Sequence, residues 1–135
     1  MTLIDTSAWI DFFRGQSGLA DAVDKLLESG DAAICGPIVT ELRRGLRSDS
    51  ERVAVLPLLG GCHELGEPTS LWSDAGDLGF VLRRKGVTVK TLDLLIATHA
   101  LAYDVLLLTG DADFETMRDS GVPLRLAEPI AAENV

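Results

Sequence analysis

The sequence has few of the residues that stabilise very small folds or insert a chain into a membrane. It holds two cysteines, Cys35 and Cys62, among 135 residues, which excludes a disulfide-rich miniprotein and favours reduced thiols packed as small apolar groups. Charged side chains interrupt its most apolar stretch, residues 92–108, so no run approaches the roughly 18 apolar residues of a membrane span. The first residues lack the basic start and apolar core of a signal peptide, and we expect a cytoplasmic protein.

Positive charge is also scarce, because 12 Lys and Arg residues stand against 21 Asp and Glu residues, a formal net charge of −9. Such a chain repels the phosphate backbone at long range, and this balance by itself argues against a nucleic-acid partner. Eight basic residues nevertheless fall into two clusters, which allows local basic ridges on an acidic body. The clusters are Arg43, Arg44, Arg47 and Arg52, and Arg83, Arg84, Lys85 and Lys90.

The remaining composition is that of an ordinary globular protein, with 47% apolar and 24% charged residues, and the length suits one domain over residues 1–135. Short apolar runs alternate with helical patterns, which predicts an α/β fold: a three-layer sandwich with a mostly parallel four- to five-stranded sheet flanked by helices. The predicted strands are 3–4, 32–35, 62–65, 105–108 (central) and 124–126 (edge). The first predicted helix begins at residue 8, and others cover residues 19–28, 36–46, 50–59 and 67–85. A last helix, capped by Thr91 or Asp93, runs through Tyr103.

Four acidic side chains lie near the ends of these elements. Asp5 follows the first strand, Glu41 lies early in the third helix, Asp93 lies at the start of the last helix, and Asp111 follows strand 105–108. Ligand sites of parallel α/β sheets form outside the carboxyl ends of the strands, so these carboxylates should converge there. Because like charges destabilise one another, a cation should lie among them. Carboxylates without Cys or His suit Mg²⁺ or Mn²⁺, which can activate water for phosphodiester hydrolysis.

Four segments of the chain resemble PIN-domain ribonucleases, particularly toxins of the VapC type. They are residues 3–9 (LIDTSAW), 40–45 (TELRRG), 93–97 (DLLIA) and 108–114 (LTGDADF), in the family's order and near its spacings. The resemblance implies a PIN-like fold and a catalytic quartet that holds Mg²⁺ or Mn²⁺. The quartet it implies is Asp5, Glu41, Asp93 and Asp111.

The same resemblance implies an activity and partners. We expect an endoribonuclease toxin directed at single-stranded RNA, with water as nucleophile and a 5′-phosphate product. It should form a homodimer and bind a small VapB-like antitoxin whose C-terminal segment covers the site, often with an arginine among the carboxylates. Thr6 and Thr109 match polar positions that support the first and last acids, and Asp113 is a further candidate ligand.

Alternative interpretations exist for each acid. Asp5 and Asp93 could be helix caps, and Asp111 could stabilise a turn, without any metal. A haloacid-dehalogenase phosphatase is excluded because Ser7 stands where its second Asp belongs, and a calcium loop starting at Asp111 lacks its Gly and its closing Glu. The alternative function is a catalytically silent PIN-like module that binds RNA or a protein partner without cutting.

Other side chains suggest contacts rather than chemistry. Arg43, Arg44 and Arg47 follow Glu41 within about two helical turns, so we expect them to bind RNA phosphates, although a solvated helix face is the simpler alternative. The aromatic residues 9, 12 and 13 have the spacing of core or interface side chains, not of a base-stacking platform. The helix over 67–85, which carries Trp72, is expected either to pack in the core or to contribute to a dimer surface.

Overall fold

The computed structural model describes residues 1–15 and 18–128, and within these ranges it contains four strands and seven helices. The strands are β1 Thr2–Ile4, β2 Ala32–Cys35, β3 His63–Leu65 and β4 Leu106–Leu108. The helices are α1 Thr6–Phe13, α2 Leu19–Ser29, α3 Gly36–Gly45, α4 Asp49–Gly60, α5 Leu71–Arg84, α6 Thr91–Tyr103 and α7 Ala112–Asp119. The predicted α/β fold is therefore confirmed.

The sheet has the strand order β3-β2-β1-β4, and every pair is parallel. In β1, Leu3 lies opposite Ala33 of β2 on one side and Leu107 of β4 on the other. After β1 the chain moves to β2 and β3 on one side, and it then crosses over to place β4 on the other side. The carboxyl ends of β1 and β4 therefore border the point where the strand order reverses, where α/β sheets bind ligands.

The predicted position of strand 105–108 was wrong, because β4 is the outermost of the four strands rather than a central one. The predicted last strand is reduced to one parallel bridge between Leu107 and Leu126. Leu107 N–H donates to the Arg125 carbonyl (2.9 Å), and Ala127 N–H donates to the Leu107 carbonyl (2.8 Å). The apolar run of β4 reflects burial of both faces, and burial does not report how many strands lie beside it.

The helix boundaries also differ in ways that matter for the site. Lys90 is the N-cap of α6, so Asp93 lies inside the first turn and is not a cap. Helix α5 begins at Leu71, four residues later than predicted, because Pro68 disfavours helical geometry at the residue before it. Helix α7 was not predicted, since it is largely polar and only Phe114 and Met117 are buried in it.

The core lies between the sheet and its helices. Helix α6 is buried continuously over residues 93–100, as its apolar pattern predicted. Trp9 is fully buried and stacks on Phe13 with ring centroids 5.7 Å apart, so Trp9 belongs to the core. Phe12 and Phe13 are half-buried and pack against that core. Cys35 is buried and Cys62 half-buried, both as free thiols. No helix within residues 1–15 and 18–128 combines the length and apolarity needed to cross a bilayer.

Candidate functional site

Asp5 lies at the carboxyl end of β1, directly beside β4. Its backbone N–H donates to the Leu108 carbonyl (2.9 Å), and its residue surface is only 3% exposed. Although Asp5 occupies the N-cap position of α1, its side chain makes no capping bond. Instead its Oδ2 accepts hydrogen bonds from the hydroxyls of Ser7 and Thr109, each at 2.8 Å. A capping role therefore does not account for this carboxylate.

Glu41 reaches the same region from α3. Its Oε1 accepts a hydrogen bond from Thr6 Oγ1 at 2.8 Å, which joins α3 to the first turn of α1. Thr6 was expected to support the first acid, but its hydroxyl bonds Glu41 instead, and Asp5 is bonded by Ser7 and Thr109. Thr109 connects the carboxyl ends of β1 and β4. Its hydroxyl donates to Asp5 and its oxygen accepts from the N–H of Asp111 (3.0 Å).

Asp93 enters the cluster from the first turn of α6 and is 6% exposed. Its Oδ2 is buried and has no hydrogen-bond partner among the described residues. Burial raises the pKa of Asp93 from 3.8 to about 6; the nearby charge of Asp111 adds to the rise, Lys90 opposes it, and Asp5 and Glu41 raise it further. The four predicted acids therefore lie close enough to interact electrostatically.

Asp111 and Asp113 come from the turn between β4 and α7. Asp111 is the N-cap of α7, and its Oδ1 accepts the N–H of Asp113 at 2.9 Å, so the turn-stabilising role considered for Asp111 is real. Each of Asp93, Asp111 and Asp113 also offers a carboxylate oxygen within 4.8 Å of the others. This group includes Asp113, which the sequence placed second to the quartet. It does not include Asp5 or Glu41.

The donor set suits a hard divalent cation. A buried carboxylate oxygen without a partner is costly, and three carboxylates at this spacing repel one another unless a positive charge lies among them. Oxygen ligands from carboxylates are those that Mg²⁺ and Mn²⁺ take in proteins. Neither histidine joins the cluster: the ring of His99 bonds the Leu95 carbonyl (2.8 Å), and that of His63 bonds the Gly30 carbonyl (2.7 Å).

The predicted RNA-binding arginines lie outside the acidic cluster. Arg43, Arg44 and Arg47 are exposed, and the first two belong to the last turn of α3, where the helix dipole favours cations. The structure thus leaves them accessible and shows no contact of their side chains with the acids.

Two residues near the acids were missed by the sequence analysis. Ser7 bonds Asp5, and the only signal for it was a hydroxyl two positions after a candidate ligand. Lys90 is the cation that counteracts the rise in the pKa of Asp93, and its position three residues before that acid, on a helix, was the available signal.

The sequence model of the PIN domain matches residues 2–119. The chain belongs to the PIN-domain family. Within that family it is 32% identical over 122 residues to the ribonuclease VapC11 of Mycobacterium tuberculosis, and the match covers 87% of this chain and 91% of that protein. The VapC ribonuclease Mb1587 of Mycobacterium bovis matches with the same values. The resemblance to VapC-type PIN-domain ribonucleases is therefore confirmed.

Solved structures agree with this fold. A chain of VapBC2 from Rickettsia felis, crystallised with a DNA fragment from the promoter, superimposes with a TM-score of 0.74 at 19% identity and covers 95% of this chain and 98% of that one. A chain of DNA-bound VapBC from Salmonella typhimurium gives a TM-score of 0.74 at 20% identity, covering 93% and 96%. At these identities the likeness establishes the PIN fold alone.

Proposed function

We propose that the protein is a cytoplasmic endoribonuclease toxin that uses Mg²⁺ or Mn²⁺ to hydrolyse RNA phosphodiester bonds and is inhibited by a VapB-like antitoxin. Its relatives named as VapC ribonucleases support the ribonuclease activity. The observation that carries the metal dependence is the buried, unpartnered Oδ2 of Asp93 beside two further carboxylates. Such an atom is rare in a folded protein unless it has a ligand to bind.

In this proposal Asp93, Asp111 and Asp113 hold the ion, with Asp5 and Glu41 beside them. When bound, the ion activates an attacking water and neutralises charge on the scissile phosphate. The chain's own contribution is to fix the carboxylates before RNA arrives, since preorganised groups need no rearrangement during the reaction. The hydroxyls on α1 and at the end of β4 fix Asp5 and Glu41 in this way.

RNA needs additional positive charge to approach an acidic protein. Arg43, Arg44 and Arg47 lie on α3 and just after it, the element that also carries Glu41. We assign them to phosphates flanking the cleaved bond, where each contact releases counterions and makes binding dependent on salt. In this assignment the arginines of α3 and the residues just after it bind RNA of any sequence, and the acidic residues carry out the hydrolysis.

A groove beside the acids suits the antitoxin. It has a volume of about 230 Å³ and lies between α1, α3 and α4, and its charged lining residues are Glu41, Glu51 and Arg14. The apolar lining includes Ile10, Phe13, Leu42 and Val55. A partner segment with apolar anchors and one arginine fits this chemistry, because the arginine can reach Glu41 and displace RNA from the site.

The proposed homodimer has a candidate surface on α5. Three large apolar side chains of this helix are exposed: Trp72 (69%), Phe80 (62%) and Val81 (48%). We assign Trp72, the most exposed of them, to the dimer contact, because a second copy of this chain is the partner that the resemblance implies. Light scattering of the purified protein, with Trp72→Ala compared with the unmodified chain, tests this assignment.

The function is tested by RNA cleavage with purified protein. We expect cleavage with Mg²⁺ or Mn²⁺, none with EDTA, and a loss of at least 100-fold in Asp93→Asn. Asp24→Asn, which changes an exposed carboxylate on α2, is the matched control and should cleave normally. Full cleavage in EDTA or by Asp93→Asn contradicts the metal mechanism. Mn²⁺ binding without any RNA cleavage would support the catalytically silent module instead.

A further inference from the structure

Two hydrogen-bonded chains converge on one oxygen of Asp5. In the first, the N–H of Asp111 donates to Thr109 Oγ1 (3.0 Å), and the Thr109 hydroxyl donates to Asp5 Oδ2 (2.8 Å). In the second, the N–H of Gly110 donates to Ser7 Oγ (2.8 Å), and the Ser7 hydroxyl donates to the same Oδ2 (2.8 Å). Both chains run from the backbone of the β4–α7 turn to the end of β1. Within the part of the chain that the structure describes, the other carboxylate oxygen of Asp5, Oδ1, accepts no hydrogen bond.

Ser7, unlike Thr109, lies far along the chain from the β4–α7 turn to which it is hydrogen-bonded. Ser7 lies in α1, 103 residues from Gly110, whereas Thr109 is the immediate neighbour of Gly110. A hydroxyl has one proton to donate, and that of Ser7 goes to Asp5 while its oxygen accepts from the turn. Ser7 therefore fixes the distance between the first helix and the turn that carries two metal-ligand candidates.

The turn packs closely against α1 and α2 at Gly110. A Cβ on Gly110 would lie 2.9 Å from Leu19 Cδ1, so the end of that leucine side chain would have to shift, and 3.7 Å from Ser7 Oγ, an ordinary contact distance. The close approach of the turn to Ser7 therefore agrees with the hydrogen bond from the Gly110 N–H.

We propose that Ser7 is a positioning residue for the divalent-metal site. It holds the Asp5 carboxylate in one orientation and ties the Asp111–Asp113 turn to it, so that the carboxylates are already spaced for an ion. This inference rests on the proposed function, because it needs a metal in the site. Hydrogen-bond partners of metal ligands commonly change metal affinity 10- to 100-fold when removed, and Ser7 should fall in that range.

The test measures Mn²⁺ binding to the RNA-free protein by electron paramagnetic resonance of free Mn²⁺, together with melting curves. The variants are Ser7→Ala, the isosteric pair Ser7→Thr and Ser7→Val, and Ser48→Ala. Ser48 is the matched control, because it caps α4 by accepting the N–H of Glu51 (3.1 Å) away from the acids. We expect Ser7→Ala and Ser7→Val to weaken Mn²⁺ binding at least 10-fold. Ser7→Thr should retain most of the affinity, and Ser48→Ala should only lower the melting temperature.

A second measurement does not depend on metal. The Gly110 amide should exchange with solvent at least 10-fold faster in Ser7→Ala than in the unmodified chain, since it loses its acceptor. The positioning role is overturned if Ser7→Ala binds Mn²⁺ as tightly as the unmodified chain, or if Ser7→Thr and Ser7→Val bind equally. It is also overturned if Ser7→Ala is unfolded, because Ser7 would then hold the fold as a whole. Failure of the unmodified chain to bind millimolar Mn²⁺ contradicts the proposed function itself.

Discussion

Replacing Asp93 with asparagine should make the metal-free protein more stable at neutral pH. In the folded chain the pKa of Asp93 is raised from 3.8 to about 6, mainly by burial and by Asp111. Well below pH 3.8 the group is neutral in both folded and unfolded chains and costs nothing. As the pH rises towards 6, the unfolded chain releases this proton first, and the folded state loses stability relative to it.

The size of the effect follows from the pKa shift. A shift of about two pKa units corresponds to at most about 3 kcal/mol, at about 1.4 kcal/mol per unit. Asparagine has nearly the same shape and cannot ionise, so the stability of Asp93→Asn relative to the unmodified chain should rise by up to that amount between pH 4 and pH 7. Added Mn²⁺ should cancel most of this difference, because 100-fold excess over its Kd stabilises the unmodified chain by about 2.7 kcal/mol.

The assay is urea unfolding of both proteins from pH 4 to pH 7, in EDTA and then in millimolar Mn²⁺, with Asp24→Asn as the control. The difference between the two proteins reports Asp93 and its coupling to the neighbouring acids, because carboxylates elsewhere contribute equally to both curves. If the difference is flat across this pH range and Mn²⁺ changes neither protein, Asp93 is not an uncompensated carboxylate in a cation site.

Three further predictions address the Asp5 carboxylate, the arginines that we assign to RNA phosphates and the buried thiol of Cys35. Asp5→Asn should abolish RNA cleavage and toxicity in cells. The variant should stay folded, as shown by a cooperative thermal unfolding curve in circular dichroism. Arg43→Ala and Arg44→Ala should each weaken RNA binding and reduce the slope of log affinity against log salt by about 1, measured by fluorescence anisotropy. Burial raises the pKa of Cys35 to about 12, so this thiol should resist iodoacetamide at pH 8 in the folded protein, and the half-buried Cys62 should react first.

Each of these predictions has an outcome that contradicts it. Residual cleavage by Asp5→Asn, with contaminating nuclease excluded, would remove that carboxylate from the mechanism. Arg118→Ala, an exposed arginine of α7, is the control for the salt slopes, and equal slopes for all three arginine variants would place the phosphate contacts elsewhere. Mass spectrometry that finds Cys35 alkylated as fast as Cys62 would show that β2 opens readily in solution.

Much of the fold was predictable because local patterns agree with it. The apolar run of β2 and the nearly all-apolar α6 are buried as predicted, since burial on all sides leaves no room for polar residues in a stretch of sequence. Helix α7 escaped prediction because tertiary contacts of two side chains, Phe114 and Met117, hold it, and two apolar positions are too few for a helical period. The position of β4 was also unpredictable, because strand order depends on crossovers rather than on composition.

The candidate site divides in the same way. The available chemistry could be predicted from the residues alone: acids near the ends of strands and helices, no histidine or cysteine in the motifs, and a resemblance to one nuclease family. Which acids meet depends on packing, because the docking of α6 against the β4–α7 turn brings carboxylate oxygens of Asp93, Asp111 and Asp113 within 4.8 Å of one another. It also decided that Thr6 bonds Glu41 while Ser7 bonds Asp5. Packing sets the direction of each side chain and its distance to side chains across the sheet. Neighbouring residues in the sequence do not reveal either quantity, so these hydrogen bonds could not be predicted.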